Sequence, residues 1–161
     1  MNPKPSPLKC RSYYVTDLIV NANPKYNPAK PTRLEFRDLI VDAKTEQPEN
    51  EDVAHVWRVF LKISQNVEDE KNTPYNFTVS LFGSFDVAKD YPQDKVQSLV
   101  EINGASILYS VGREVLRVAM GHGPYRPLFL PTVSFVQPQP PPVKVVAGNL
   151  EVAPPQLGTS G

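Results

Sequence analysis

The chain reads as an α+β protein: a four-stranded antiparallel sheet, then a short and a long helix, then a proline-marked apolar ribbon and a disordered tail. Three observations predict this. Two neighbouring runs, residues 53–63 and 75–85, alternate apolar and polar side chains, the pattern of strands with one covered face. Apolar residues between 107 and 119 recur at helical spacing. Of the 18 prolines, six fall in residues 3–31 and nine in 124–155, which confines regular structure to the middle of the chain.

The first strand is expected over residues 11–22, "RSYYVTDLIVNA", mixed in pattern but rich in β-branched and aromatic types. A proline-broken loop leads to the second, residues 33–43, "RLEFRDLIVDA". Its alternation slips near Asp38, which predicts a bulge or an end of pairing there. After the acidic turn "KTEQPENED", the third strand sets Val53, His55, Trp57, Val59, Leu61 and Ile63 on one face and Arg58, Lys62 and Ser64 on the other. A polar hairpin loop, "VEDEKNT", joins it to the fourth, where Tyr75, Phe77, Val79, Leu81 and Phe85 oppose Asn76, Thr78, Ser80 and Ser84.

Behind Pro92, residues 93–102 suit a short helix, and residues 104–121 a longer one. Ile107, Leu108, Val111, Val115, Val118 and Ala119 form its apolar stripe, with Arg113, Glu114 and Arg117 outside it. Gly121 and Gly123 supply the stop signal. Leu116 and Met120 widen the apolar surface beyond one stripe. A single small sheet is not expected to cover it, so Val111, Val115, Leu116 and Met120 are candidates for an oligomer interface.

Composition narrows the function. The 161 residues suffice for one domain with a real core, and 17 basic residues balance 17 acidic ones, so no net field favours nucleic acid or an anionic membrane. No apolar run approaches the ~18 residues of a spanning helix. The start, "MNPKPSPLKC", carries charge without an apolar core, so no export signal is read and a cytoplasmic location is expected. One cysteine, Cys10, excludes an internal disulfide and a cysteine-rich metal site.

Catalytic chemistry is hard to assemble. His55 and His122 are the only histidines and have no cysteine or acidic pair at metal-ligand spacing. His55, on the apolar face of the third strand, is expected to be a core residue. The "GHG" at 121–123 follows a helix, so it lacks the amide-rich N-terminus that cradles anions. Cys10 has no partner base, and the acids of the turns read as solvated. No enzyme, metal or cofactor is expected.

After Met120 the chain changes character. Tyr125, Leu128, Phe129, Leu130, Val133 and Phe135 are interleaved with Pro124, Pro127 and Pro131, an oily ribbon that can be neither helix nor interior strand. Taken with the element order, the stretch "GASILYSVGREVLRVAMGHGPYRPLFLPTVSF" resembles the SecB export chaperones over about residues 8–136. The family has a helix with an Arg-Glu pair, then Gly, an aromatic and a Pro-Val-Asn-Phe-like ending. Here these are Arg113, Glu114, Gly123, Tyr125, Pro131, Val133 and Phe135, with Ser134 for the asparagine.

The resemblance implies an ATP-independent holdase of unfolded polypeptides, a homotetramer built as a dimer of dimers. First strands would pair across each dimer, and the long helices would lie between two composite sheets. It makes the ribbon a wall of a client groove, with client contacts expected at Tyr14, Tyr26, Phe36, Tyr125, Leu128 and Leu130. The alternative for the ribbon is a strap sealing the subunit's own core. Two departures stand out. "VQPQPPPVKVV" replaces the family's second amphipathic helix. Of the acidic positions that would meet the translocase motor SecA, Asp17 matches while two glutamate positions are Asn21 and Thr78. The roles implied are export, partnership with an antitoxin, or structural assembly. The division expected is residues 1–7 as a flexible N-terminus, 8–136 as the chaperone domain and 137–161 as a proline-rich disordered tail.

Overall fold

The computed structural model describes residues 2–32, 34–47, 55–65 and 71–136. The expected tail, Val53 and most of the loop before the fourth strand lie outside them. Four strands, β1 (Leu8–Ala22), β2 (Leu39–Glu46), β3 (Val56–Gln65) and β4 (Tyr75–Val87), make one antiparallel sheet in the order β1-β4-β3-β2. Helix α1 (Gln93–Leu99) passes through a π-helical turn, Val100–Gly104, into α2 (Ala105–Gly121). The expected α+β order is found, with β1 and β2 as the sheet's two edges.

The alternation read in β3 and β4 is the actual division of the sheet. Trp57, Val59, Leu61, Ile63, Tyr75, Phe77, Val79, Leu81 and Phe85 are buried on the inner face under α2. Arg58 and Lys62 of β3 stand outside, as expected. The fit under the helix is close. A Cβ on Gly112 would stand 2.7 Å from Ile63 Cδ1 and 3.1 Å from Leu81 Cδ1, so only glycine lets α2 approach the sheet so nearly.

Where the sequence reading departs from the structure, local chemistry explains it. β1 starts at Leu8 instead of residue 11, and its pairing with β4 shifts register between Cys10 and Ser12 and again between Val15 and Asp17. Two bulges change which parity faces the core, hence the mixed pattern. β2 starts only at Leu39 instead of residue 33. Before it, Phe36–Asp38 is a single 3-10 turn. The Asp38 carboxylate accepts the Glu35 backbone N–H at 2.9 Å and pairs with Lys71, and this buried acid ends the alternation.

Three side-chain placements need correction. His55 is a turn residue ahead of β3, with its side chain 41% exposed and its Nε2 3.8 Å from Asp86 Oδ1, so it is not a core histidine. Leu116 and Met120 are fully buried inside the chain's own core. They therefore leave no uncovered helical surface. Of the interface candidates, only Val111 and Val115 keep partial exposure, and Val118 beside them is more open.

Candidate functional site

The ribbon is pinned at both ends. At its start the Tyr75 hydroxyl accepts the Tyr125 backbone N–H (2.8 Å) and reaches the carbonyls of Tyr125 (2.7 Å) and Met120 (3.1 Å). A Cβ on Gly123 would stand 2.6 Å from that hydroxyl, so glycine is required where α2 gives way to the ribbon. Further on, the Tyr109 hydroxyl donates to the Pro131 carbonyl at 2.8 Å and its ring meets Phe135 edge-on. Burial raises the Tyr109 phenol above its ordinary pKa, against the opposing pull of the Arg113 charge.

Between these pins Leu128 and Leu130 share one side, as an extended ribbon requires, but that side is the core. Both are buried in the main apolar cluster, so neither is free to meet a client in this conformation. Phe129, between them, points out and is 77% exposed. The strap alternative describes these two leucines.

The other predicted contacts do not form one site. Tyr26 and Tyr125 come together, ring centroids 4.8 Å apart and edge-on, with Tyr75 next to Tyr125 at 5.9 Å. Both Tyr26 and Tyr125 are half-buried. Tyr14 lies elsewhere, on the outer face of the sheet. There its ring stacks with Phe82 at 6.1 Å, and Phe82 meets Phe60 at 5.2 Å. The three rings form a row across β1, β4 and β3, with Tyr14 59% exposed. Phe36 is as exposed as Tyr14 and sits at the 3-10 turn before β2, apart from this row.

Sequence reading misses Phe60 and Phe82. The signal is present, since each stands at a position of its strand where the neighbours of like parity are polar. It also misses the inner surface of β1. The register sets Tyr13, Val15 and Leu18 opposite Gly83, Leu81 and Val79, on the core side, yet all three stay largely exposed. α2 lies mainly over β3 and β4 and covers the edge strand only in part. Because side chains on paired strands share a face, Asp17, Asn21 and Thr78 all belong to the outer face, which has a single carboxylate among those three positions.

Little reactive chemistry accompanies these surfaces. Burial pushes the Cys10 thiol up, partly offset by its bond to the Ser12 carbonyl. The Arg117 guanidinium holds the Glu114 carboxyl below its ordinary range through paired bonds of 2.6 and 2.8 Å. Among the described residues no cluster of His, Cys, Asp and Glu could hold a metal ion, and no helix is long and apolar enough to cross a membrane.

Similarity to known proteins extends over most of the chain. The family model described as preprotein translocase subunit SecB matches residues 3–138. Among solved structures, the Rv1957 SecB-like chaperone of Mycobacterium tuberculosis, in complex with a ChAD peptide from the Rv1956 HigA1 antitoxin, superposes with a TM-score of 0.51. It is 16% identical, over 82% of this chain and 93% of that one. A protein of unknown function from Streptococcus agalactiae gives a TM-score of 0.42 at 12% identity, over 77% of this chain and 96% of that one. No curated protein matches the chain.

Proposed function

The chain belongs to the SecB family, a family of chaperones and not of enzymes, and from that premise we propose that it is an ATP-independent holdase for unfolded polypeptides. The observation that carries the reading is the aromatic row Tyr14–Phe82–Phe60 on a rigid sheet face. Aromatic area held on backbone that is already hydrogen-bonded can bury a client's apolar side chains at ~25 cal/mol per Å² without demanding a sequence. Tyr26, Tyr125, Phe36 and the exposed Phe129 supply further contacts on this reading. Leu128 and Leu130 do not.

A homotetramer, as a dimer of dimers, belongs to the same proposal. β1 has an open edge and leaves Tyr13, Val15 and Leu18 uncovered, the arrangement a second copy could close by pairing edge to edge. Action in the cytoplasm is also part of it.

Two roles remain for such a holdase, preprotein export and care of an antitoxin. Asn21 and Thr78 on the outer face favour the second, because a docking face for SecA is implied to be more acidic. The test is suppression of aggregation of a reduced, unfolded protein by the full chain without nucleotide. We expect suppression at near-stoichiometric amounts and its reduction at least threefold by Tyr14→Ser with Phe60→Ser, the fold unchanged by circular dichroism. Unaltered aggregation in the presence of the wild-type chain would defeat the holdase reading. A pull-down with purified SecA that retains this chain would favour export.

A further inference from the structure

We infer that Asn72, on the connection between β3 and β4, is a positioning residue for client contact: its carboxamide holds the loop between β1 and β2 so that the Tyr26 ring stays set against Tyr125. The inference rests on the reading of Tyr26 as a client contact and adds the residue that fixes where that contact stands.

The loop has little means of holding itself. Pro24, Pro28 and Pro31 bar strand pairing and remove backbone donors, so its remaining polar groups need a partner from elsewhere. Asn72 is that partner. Its Oδ1 accepts the Asn27 N–H at 2.8 Å, and its Nδ2 donates to the Asn27 carbonyl at 2.8 Å. The same Nδ2 faces the carbonyls of Lys30 at 3.2 Å and Pro31 at 3.5 Å. One side chain thus satisfies both polar groups of a backbone residue, as a neighbouring strand would. It also closes the turn in which the Lys30 N–H donates to the Asn27 carbonyl. From residue 24 to residue 32, among the described residues, every hydrogen bond from the loop to another element goes to Asn72.

The base of this clamp is firm. Thr73 beside it is buried, its hydroxyl accepts the Gln65 Nε2–H at 3.0 Å, and its carbonyl accepts the Asn23 side-chain amide at 2.8 Å. Tyr75, two residues further on, begins β4 and meets Tyr125 edge-on. The stretch that carries Asn72 therefore also carries the wall on which Tyr26 rests. Tyr26 immediately precedes Asn27, so fixing Asn27 fixes where the ring leaves the backbone. The ring then meets Tyr125 at 4.8 Å between centroids, and its hydroxyl accepts the Thr32 hydroxyl proton at 3.0 Å. Both rings keep part of their surface open. A ring held in place beforehand does not have to be ordered when a client arrives, which is how preorganisation adds affinity.

Two measurements on the full chain test the assignment, with the fold of each variant checked by circular dichroism. In hydrogen exchange, Asn72→Ala should speed the Tyr26, Asn27 and Lys30 amides about tenfold and leave β4 unchanged. Equal rates in both chains would overturn the inference. The second measurement is a double-mutant cycle on binding of fluorescein-labelled, reduced and carboxymethylated lactalbumin, read by anisotropy. Asn72→Ala and Tyr26→Ser should each weaken binding about fivefold, and the pair no more than Tyr26→Ser alone, because Asn72 acts through Tyr26. Asn72→Asp keeps the acceptor for the Asn27 N–H, loses the donor, and should behave as Asn72→Ala. Equal losses from Asn72→Ala with and without Tyr26 would mean that it acts on the fold at large, which overturns the inference. So does unchanged binding by Asn72→Ala where Tyr26→Ser weakens it, a result that leaves Tyr26 as a contact. No effect of Tyr26→Ser would remove that contact and the inference with it, while binding by the wild type keeps the holdase reading. No binding by the wild type would defeat both.

Discussion

The hydroxyl of Tyr75 meets three backbone groups where α2 gives way to the ribbon: the Tyr125 N–H, the Tyr125 carbonyl and the Met120 carbonyl, which also accepts the Gly123 N–H. Tyr75→Phe keeps the ring and removes those bonds, so it should lower the free energy of unfolding by about 1–3 kcal/mol, read from urea denaturation. Tyr109 makes the second pin, and here pH is the probe. Its folded-state pKa lies above the unfolded value because burial disfavours the phenolate. Its contribution is therefore fully present below the unfolded pKa, near ~10, and fades as pH rises through the folded value. Melting temperatures measured from pH 8 to 11 should fall more steeply for the wild type than for Tyr109→Phe, which has no proton to lose. At this scale residue type is legible in the sequence and direction is not. Leu128 and Leu130 do share one side of the ribbon, as their spacing predicts. Alternation alone cannot tell the core side from the solvent side, since Phe129 is as apolar as its neighbours and only docking decides between them.

Among the elements, β3 and β4 are readable because nothing competes with their two-residue period. β1 is not, since each bulge inserts a residue and exchanges inward for outward parity. The start of β2 is hidden by a capping interaction, in which Asp38 draws the chain into a turn although Leu34 and Phe36 continue the apolar alternation. The ribbon is recognisable as irregular, and its role as a strap for the core follows from burial. Replacing Leu128 and Leu130 together by serine should therefore destabilise the fold by well over the ~2–5 kcal/mol typical of one Leu→Ala. Calorimetry showing an unchanged melting temperature would mean the leucines are not held as described.

At the scale of the whole molecule, α2 covers two central strands and part of the sheet's edge remains apolar. The broad expectation of association rests on other residues than Leu116 and Met120. Both lie on one line of the helix with Leu108 and Gly112, the line that packs on the sheet, so they are spent in the chain's own core. β1 carries the expectation instead. Leu18→Asp, at an exposed position, should leave circular dichroism intact and shift light scattering from tetramer toward smaller species. A wild-type chain that scatters as a monomer at micromolar concentration would refute the assembly outright. The helical rod has its own consequence. Val96, Val100, Gly104, Leu108, Gly112, Leu116 and Met120 are all buried at intervals of four, and in an ideal α-helix each such step drifts by about 40° around the axis. The wide turn at Val100–Gly104 takes up an extra residue and so resets the phase between α1 and α2. Deleting one residue there, Glu101 for instance, should let the wide turn close into ordinary α-helix with both buried lines kept, whereas a second added residue would exceed what one wide turn absorbs and turn one half by about 100° against the other. Either Val96 and Val100 or Leu108 and Leu116 would then face water, so this stretch tolerates the loss of a residue better than the gain of one.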